Sequence, residues 1–239
     1  MLIEGKNAVA ECLDGDATID KILIYKGTTD QGLVARIKQS GVQYQFVDKP
    51  ALERVSKTKN HQGFIAFVSE YRYFSLDEII DRAYSKSKQP LVLILDGVED
   101  PHNLGNIIRT AECMGVDGIL IPKNRAASVN ETVVRVSMGA TSHVQVSKVI
   151  NINQEIEILK AKGFWVYEAS AGGMNISQTN MTGPIAIVMG GENTGVRHHT
   201  RQLADATISI PMYGKINSLN VANATAMVLY EVNRQRNAK

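Results

Sequence analysis

The sequence predicts an α/β protein in two parts, a small mixed unit followed by a larger one built on a parallel sheet. Three observations predict it. Short apolar runs of strand length alternate with helical periodicity along the chain, the pattern produced when strands are joined by crossing helices. A polar stretch, SKSKQP at 85–90, interrupts that alternation as a hinge or boundary would. Beyond it, the run at 91–95 is continuously apolar, as strands covered on both faces of a parallel sheet are.

The first part, 1–70, reads in order as a helix over 8–13, a strand over 21–25, a helix over 32–39, a strand over 42–47, a helix over 50–55 and a strand over 64–68. Pro50 opens its helix, where the missing N–H does no harm. Just before the last strand, Lys57, Lys59, Asn60, His61 and Gln62 form a polar, basic loop, which either grips a phosphate backbone or is a solvated turn. The stretch 71–89 is expected to be a linker. Within it Ser75 and Glu78 have capping-box spacing, so a helix begins there.

The second part, 90–239, continues from the strand 91–95 through a loop to a helix over 107–114 that carries Arg109. Further strands are expected at 118–121, 144–146, 164–168, 185–189 and 206–210, with helices at 131–136 and 154–162. His198 and His199 open a short helix. The last long helix begins near Asn220 and Asn223, residue types that cap helices and can also face a ligand. Ligands of parallel sheets bind outside the carboxyl ends of the strands, so the chemistry is sought in the loops after Leu95, Glu168, Met189 and Ile210.

Composition narrows the function classes. The 239 residues carry a formal net charge of +2, so a nucleic-acid site would have to be a local patch. Two distant cysteines, Cys12 and Cys113, read as reduced thiols of a cytoplasmic protein. No apolar run is long enough to span or insert into a membrane. The phosphate loop GxxxxGK[ST], the dinucleotide fingerprint GxGxxG after the 91–95 strand, and HExxH and GxSxG are all missing, which argues against nucleotide triphosphatases, dinucleotide enzymes and the common hydrolases. The histidines are not at metal-ligand spacing, and no metal is expected.

What remains is three polar blocks, each after an apolar strand: Asn103-x-Gly105-x3-Arg109; Met189-Gly190-Gly191-Glu192-Asn193-x-Gly195; and Ile210-Pro211-Met212-x-Gly214-x3-Ser218-Leu219-Asn220-Val221-Ala222-Asn223-Ala224. Each alone is compatible with an ordinary turn or cap. In this order, the three resemble the motifs of the SpoU/TrmH family of RNA ribose 2'-O-methyltransferases, within the SPOUT superfamily. The resemblance covers 91–239, and the first part is similar to the L30e-like substrate-binding domain of some members. It is closest to the bacterial 23S ribosomal RNA guanosine 2'-O-methyltransferases.

The resemblance implies a SPOUT-type parallel-sheet domain with a C-terminal trefoil knot, S-adenosylmethionine as cofactor, ribosomal RNA as partner and a homodimer. It implies Arg109, Asn103, Glu192, Ser218 and Asn220 as the catalytic set. Gly190, Gly191, Ile210, Met212, Ser218, Leu219 and Asn220 would hold the cofactor, several of them through backbone atoms. Two alternatives stay open: transfer RNA as the substrate, and a non-catalytic RNA-binding protein of ribosome assembly.

Overall fold

The computed structural model describes residues 2–14, 19–68, 71–191, 195–216 and 218–237. The chain folds as two compact units, Met1–Tyr71 and Arg72–Lys239.

In the first unit a four-stranded sheet of order β1-β4-β2-β3 is built from β1 (Leu2–Glu4), β2 (Ile19–Tyr25), β3 (Tyr44–Val47) and β4 (Phe64–Val68). Its helices are α1 (Lys6–Asp14), α2 (Gln31–Gln39) and α3 (Lys49–Val55). Asp30 and Asp48 start α2 and α3 by accepting the N–H of Leu33 and Ala51, the role short acidic side chains play at a helix N-cap. One face of the sheet is closed by Val9, Leu33, Val34 and Ile37 against Ile22, Ile24 and Phe64. Full burial of each such side chain stabilises by about 1.5–3 kcal/mol, which the entropy of ordering the chain opposes. The three-residue strand β1 is missing from the sequence reading, being too short to show alternation.

The second unit carries a six-stranded sheet of order β10-β8-β9-β5-β6-β7, with every pairing parallel. Its strands are β5 (Leu91–Asp96), β6 (Gly118–Pro122), β7 (Gln145–Val149), β8 (Trp165–Asn175), β9 (Ile185–Gly190) and β10 (Ala206–Ser209). The expected 71–89 linker contains a helix, α4 (Leu76–Lys86), and the Ser75/Glu78 capping box is formed. Leu76, Ile79 and Ile80 of α4 pack with Ile152, Ile156 and Leu159 of α7 (Ile152–Ala161) over Val92, Ile94, Leu120 and Val188. The fit is tight enough that a Cβ on Gly118 would meet Ile79 Cγ2 at 2.4 Å.

The remaining helices are α5 (Pro101–Cys113), α6 (Glu131–Val136), α8 (His198–Leu203) and α9 (Val221–Asn237), and α5 packs against both α6 and α9. The chain winds from β5 through β6 to β7, then crosses back to the other side of β5. That places the switch point between β5 and β9, where crevices open in sheets of this kind.

One expectation is corrected. The segment holding Asn103 was expected as a loop before a helix at 107, but α5 begins at Pro101. Asp100 caps it by accepting the His102 N–H at 2.8 Å, and Pro101 occupies a position where no N–H is required. Gly105 lies inside the helix, and glycine is needed there because a Cβ would sit 2.7 Å from Val136 Cβ and 3.2 Å from the Val133 carbonyl.

Candidate active site

The carboxyl edge of the sheet forms a crevice. Residues in the middle of β8 and at the ends of β9 and β10 line it, including Ala169, Met189, Gly190 and Ser209, and the start of α9 closes one side. Most of the wall is apolar, with Ile208, Ile210, Met212, Leu219 and Val228, while Ser170, Ser209 and Ser218 supply hydroxyls. Beside it lies a polar cleft lined by Asn103, Asn106, Arg109, Asn220 and Asn223 on α5 and α9.

The two spaces meet across the helix start. Ser218, Leu219 and Val221 line the crevice, whereas the interleaved Asn220, with Ala222 and Asn223, lines the cleft. Asn220 holds this junction with both ends of its amide. Its Oδ1 accepts the Ala222 N–H at 2.9 Å, capping α9, and its Nδ2 donates to Asn103 Oδ1 at 3.0 Å, tying α9 to α5. Arg109 is exposed two turns further along α5.

Beneath the crevice the backbone is packed on itself. Asp96 and Gly190 are register partners across the switch point, and the Gly191 N–H donates to the Asp96 carbonyl at 2.9 Å. A Cβ on Gly190 would come within 2.2 Å of the Gly195 carbonyl carbon, and one on Gly191 within 2.2 Å of the Gly97 oxygen. Both positions therefore require glycine so that two stretches of chain can touch, as well as lining the crevice. Arg197 fastens the turn from outside. Its backbone N–H donates to Asp96 Oδ2 at 3.0 Å and its Nε–H to Oδ1 at 2.6 Å, with the Asp96 side chain fully buried. A second buried carboxylate, Glu168, accepts from Arg201 Nε at 3.2 Å and Ser170 Oγ at 3.1 Å, next to the crevice wall.

Of the residues singled out from sequence, Gly190, Gly191, Ile210, Met212, Ser218 and Leu219 come together in the crevice, and Asn103, Arg109 and Asn220 in the cleft. Asn220, expected among the cofactor-binding residues as well, faces the cleft. Glu192 lies outside the described residues. Sequence reasoning missed Asp96, Arg197, Glu168 and Arg201; the available signal was an acidic residue closing an otherwise apolar strand. Among the described residues, no group of three or more His, Cys, Asp or Glu side chains could hold a metal ion, and no helix is long and apolar enough to cross a membrane.

These features define an open parallel-sheet α/β protein with a largely apolar crevice over β8, β9 and β10 and a polar cleft beside it. Residues 90–230 match the SpoU rRNA Methylase family, and residues 2–74 match the substrate-binding domain of RNA 2'-O ribose methyltransferases. The chain belongs to the SpoU rRNA Methylase family.

A putative TrmH family tRNA/rRNA methyltransferase of Bacillus subtilis is 39% identical over 238 residues, covering 98% of this chain and 95% of that protein. An uncharacterized tRNA/rRNA methyltransferase of Synechocystis is 38% identical over 240 residues, and the chain spans 62% of its length. Among solved structures, an AdoMet-bound rRNA methyltransferase from Sinorhizobium meliloti is similar over 100% of this chain and 88% of its own, with 25% identity and a TM-score of 0.64.

Proposed function

We propose that this chain methylates a ribose 2'-hydroxyl of RNA, using S-adenosylmethionine, and that its substrate is a guanosine of 23S ribosomal RNA. The observation that carries the reading is the shared wall at the start of α9, where Ser218, Leu219 and Val221 line a largely apolar crevice and Asn220, Ala222 and Asn223 line a polar cleft that holds Arg109. Two reactants set in those spaces are brought together by one helix start, which is how proximity lowers a barrier.

The crevice fits the cofactor. Ile208, Ile210, Met212 and Leu219 suit an adenine ring, while the hydroxyls of Ser170 and Ser218 and the strand-end backbone suit its ribose and amino-acid portion. The bound sulfonium supplies an activated methyl group and its own leaving group. The residues of the chain position the acceptor.

Arg109 is a permanently charged donor with no lone pair to offer, so it holds a substrate phosphate and stabilises the oxyanion that forms at the 2' oxygen. The proton leaves to phosphate or water. The resemblance also allows Arg109 to deprotonate the hydroxyl, a role its chemistry suits less well. Asn103 and Asn220 fix the edge of the cleft. Glu192 takes the part of orienting Arg109 or the substrate, since a carboxylate beside a guanidinium stays ionised.

The first unit serves as the RNA-binding domain and the second as the methyltransferase, with the knotted C terminus that the resemblance implies. A homodimer is supported by the exposed Met227 and Tyr230 on α9 and Val134 on α6, elements that flank the cleft-bearing α5. The transfer RNA alternative is kept open by the tRNA/rRNA naming of the Bacillus relative. Mapping ribose methylation across ribosomal and transfer RNA from a deletion strain and its complemented parent tests the substrate. One lost 23S guanosine mark, restored by complementation, is expected; loss confined to transfer RNA would replace the substrate, and no lost mark would overturn the reading.

A further inference from the structure

The basic loop before β4 is a built structure, and its builder is a carboxylate. Glu4 closes β1 and is fixed by the sheet opposite Ile65 of β4. Its Oε2 accepts the Ser56 hydroxyl at 2.5 Å and the Thr58 hydroxyl at 2.6 Å, and its Oε1 accepts the Lys57 N–H at 2.6 Å. The order propagates outward: Ser56 Oγ accepts the Lys59 N–H at 2.8 Å, and Thr58 Oγ1 the Asn60 N–H at 3.3 Å. At the far end His61 is buried, and its Nδ1 accepts the Gly63 N–H at 3.0 Å, while Gln62 Oε1 accepts the Lys6 N–H at 3.2 Å.

Two non-glycine residues of this loop, Lys59 and Gln62, hold positive φ angles of 59° and 49°. Backbone in that region costs on the order of 1 kcal/mol per residue and persists where the surroundings enforce it. Positive φ also serves ordinary turns; what sets this loop apart is the Glu4 carboxylate that fixes Ser56, Lys57 and Thr58 together. What the arrangement presents is a row of exposed donors, Lys57, Lys59, Asn60 and Gln62. Among the described residues no salt bridge joins the Lys57 or Lys59 ammonium to a carboxylate, so both charges are available to a polyanion. The charge of Glu4 is taken up by loop hydroxyls and N–H groups.

We propose that the 56–63 loop is a phosphate grip for the RNA backbone, held in its binding shape by Glu4. The inference rests on the RNA reading of the preceding subsection and deepens it. Glu4 is a negative charge next to a site for a polyanion, so electrostatics alone require that Glu4→Ala tighten RNA binding. Preorganisation requires that it weaken binding, because the lysines are then no longer held in place.

The test uses the full chain and a 23S ribosomal RNA transcript in filter binding between 50 and 300 mM salt, a range of roughly the span over which phosphate contacts are read. Glu4→Ala is expected to raise Kd by roughly tenfold, with affinity for S-adenosylmethionine unchanged. Lys57→Ala/Lys59→Ala, at exposed positions that leave the fold intact, is expected to lower the slope of log K against log salt by about 1.5, since each phosphate contact contributes about 0.7–0.9. Glu4→Ala binding as tightly as wild type or tighter, or a double lysine variant with an unchanged slope, overturns the proposal while leaving the methyltransferase reading in place. If Glu4→Ala fails to fold, the lysine slope decides alone. A wild-type chain that binds no RNA overturns both.

Discussion

The clasp between Asp96 and Arg197 ties the end of β5 to the chain that follows β9. Asp96 is buried completely at the end of β5, and its two oxygens receive the Arg197 backbone N–H and Nε–H. The Arg197 side chain is 56% exposed. Arg197→Ala therefore strands a buried charge on a single backbone donor, whereas Asp96→Asn removes the charge and frees the arginine to turn to water. Breaking a buried pair by deleting one partner costs about 3–5 kcal/mol, and the exposure of the arginine puts Arg197→Ala near the lower end. Asp96→Asn should cost about 2 kcal/mol, the worth of the charge-assisted bonds lost.

At about 2–4 °C per kcal/mol for a unit of this size, those costs correspond to falls of roughly 6–12 °C and 4–8 °C in the unfolding midpoint of the second unit. The double variant should be more stable than the sum of the two by at least about 1 kcal/mol, because the second change removes the charge the first one stranded. Calorimetric unfolding of the four chains closes the cycle, and titration with S-adenosylmethionine should show weakened binding in all three variants as the Gly190–Gly191 floor loosens. Strict additivity, or Arg197→Ala being milder than Asp96→Asn, would refute this account of the clasp.

Two further predictions test the scaffold. Gly105→Ala forces a methyl against Val136 and should cost about 1–3 kcal/mol, the usual range for overpacking, while shifting Asn103 and Arg109 and lowering turnover; Gly105→Ala/Val136→Gly, which removes the Cβ the new methyl would meet, should recover part of both losses, and no rescue in denaturant melts and methyl-transfer rates would contradict the packing argument. In the first unit, burial raises the Glu4 carboxyl, but the hydrogen bonds from Ser56, Thr58 and Lys57 outweigh it and hold the pKa down at about 2 from 4.5. Because the folded value is depressed, the stability difference between wild type and Glu4→Gln is fully present above pH 4.5 and shrinks as pH falls toward 2, a trend urea midpoints from pH 6 downward would expose.

The strands of the second unit and most helices were legible because each carries its own local signal. The continuous apolar run of β5, the Ser75 and Glu78 box of α4 and the asparagine-rich start of α9 need no knowledge of the rest of the chain. Asn103 reads as a loop residue in the sequence, and Gly105 close behind it is an unfavourable helix former on propensity alone. What overrides propensity is α6 lying against that turn, a contact across 31 residues from Gly105 to Val136 that no local pattern reports. The Asp96–Arg197 pair is likewise silent in the sequence, since its partners are joined only when β9 inserts beside β5. The split of the third block between crevice and cleft was hidden for another reason: Ser218 and Leu219 face one space while Asn220 is turned to the other by its bond to Asn103, a contact 117 residues away in sequence.

Labelled methyl from S-adenosylmethionine can be followed onto a 23S ribosomal RNA transcript by digestion to nucleosides and mass spectrometry. The wild-type chain should yield a 2'-O-methylguanosine, and Arg109→Lys should retain some RNA binding and cofactor binding while losing most turnover, because a point charge on a flexible stem does not reproduce a planar fork of donors. Base methylation in place of ribose methylation, or near-normal turnover by Arg109→Lys, would contradict the account.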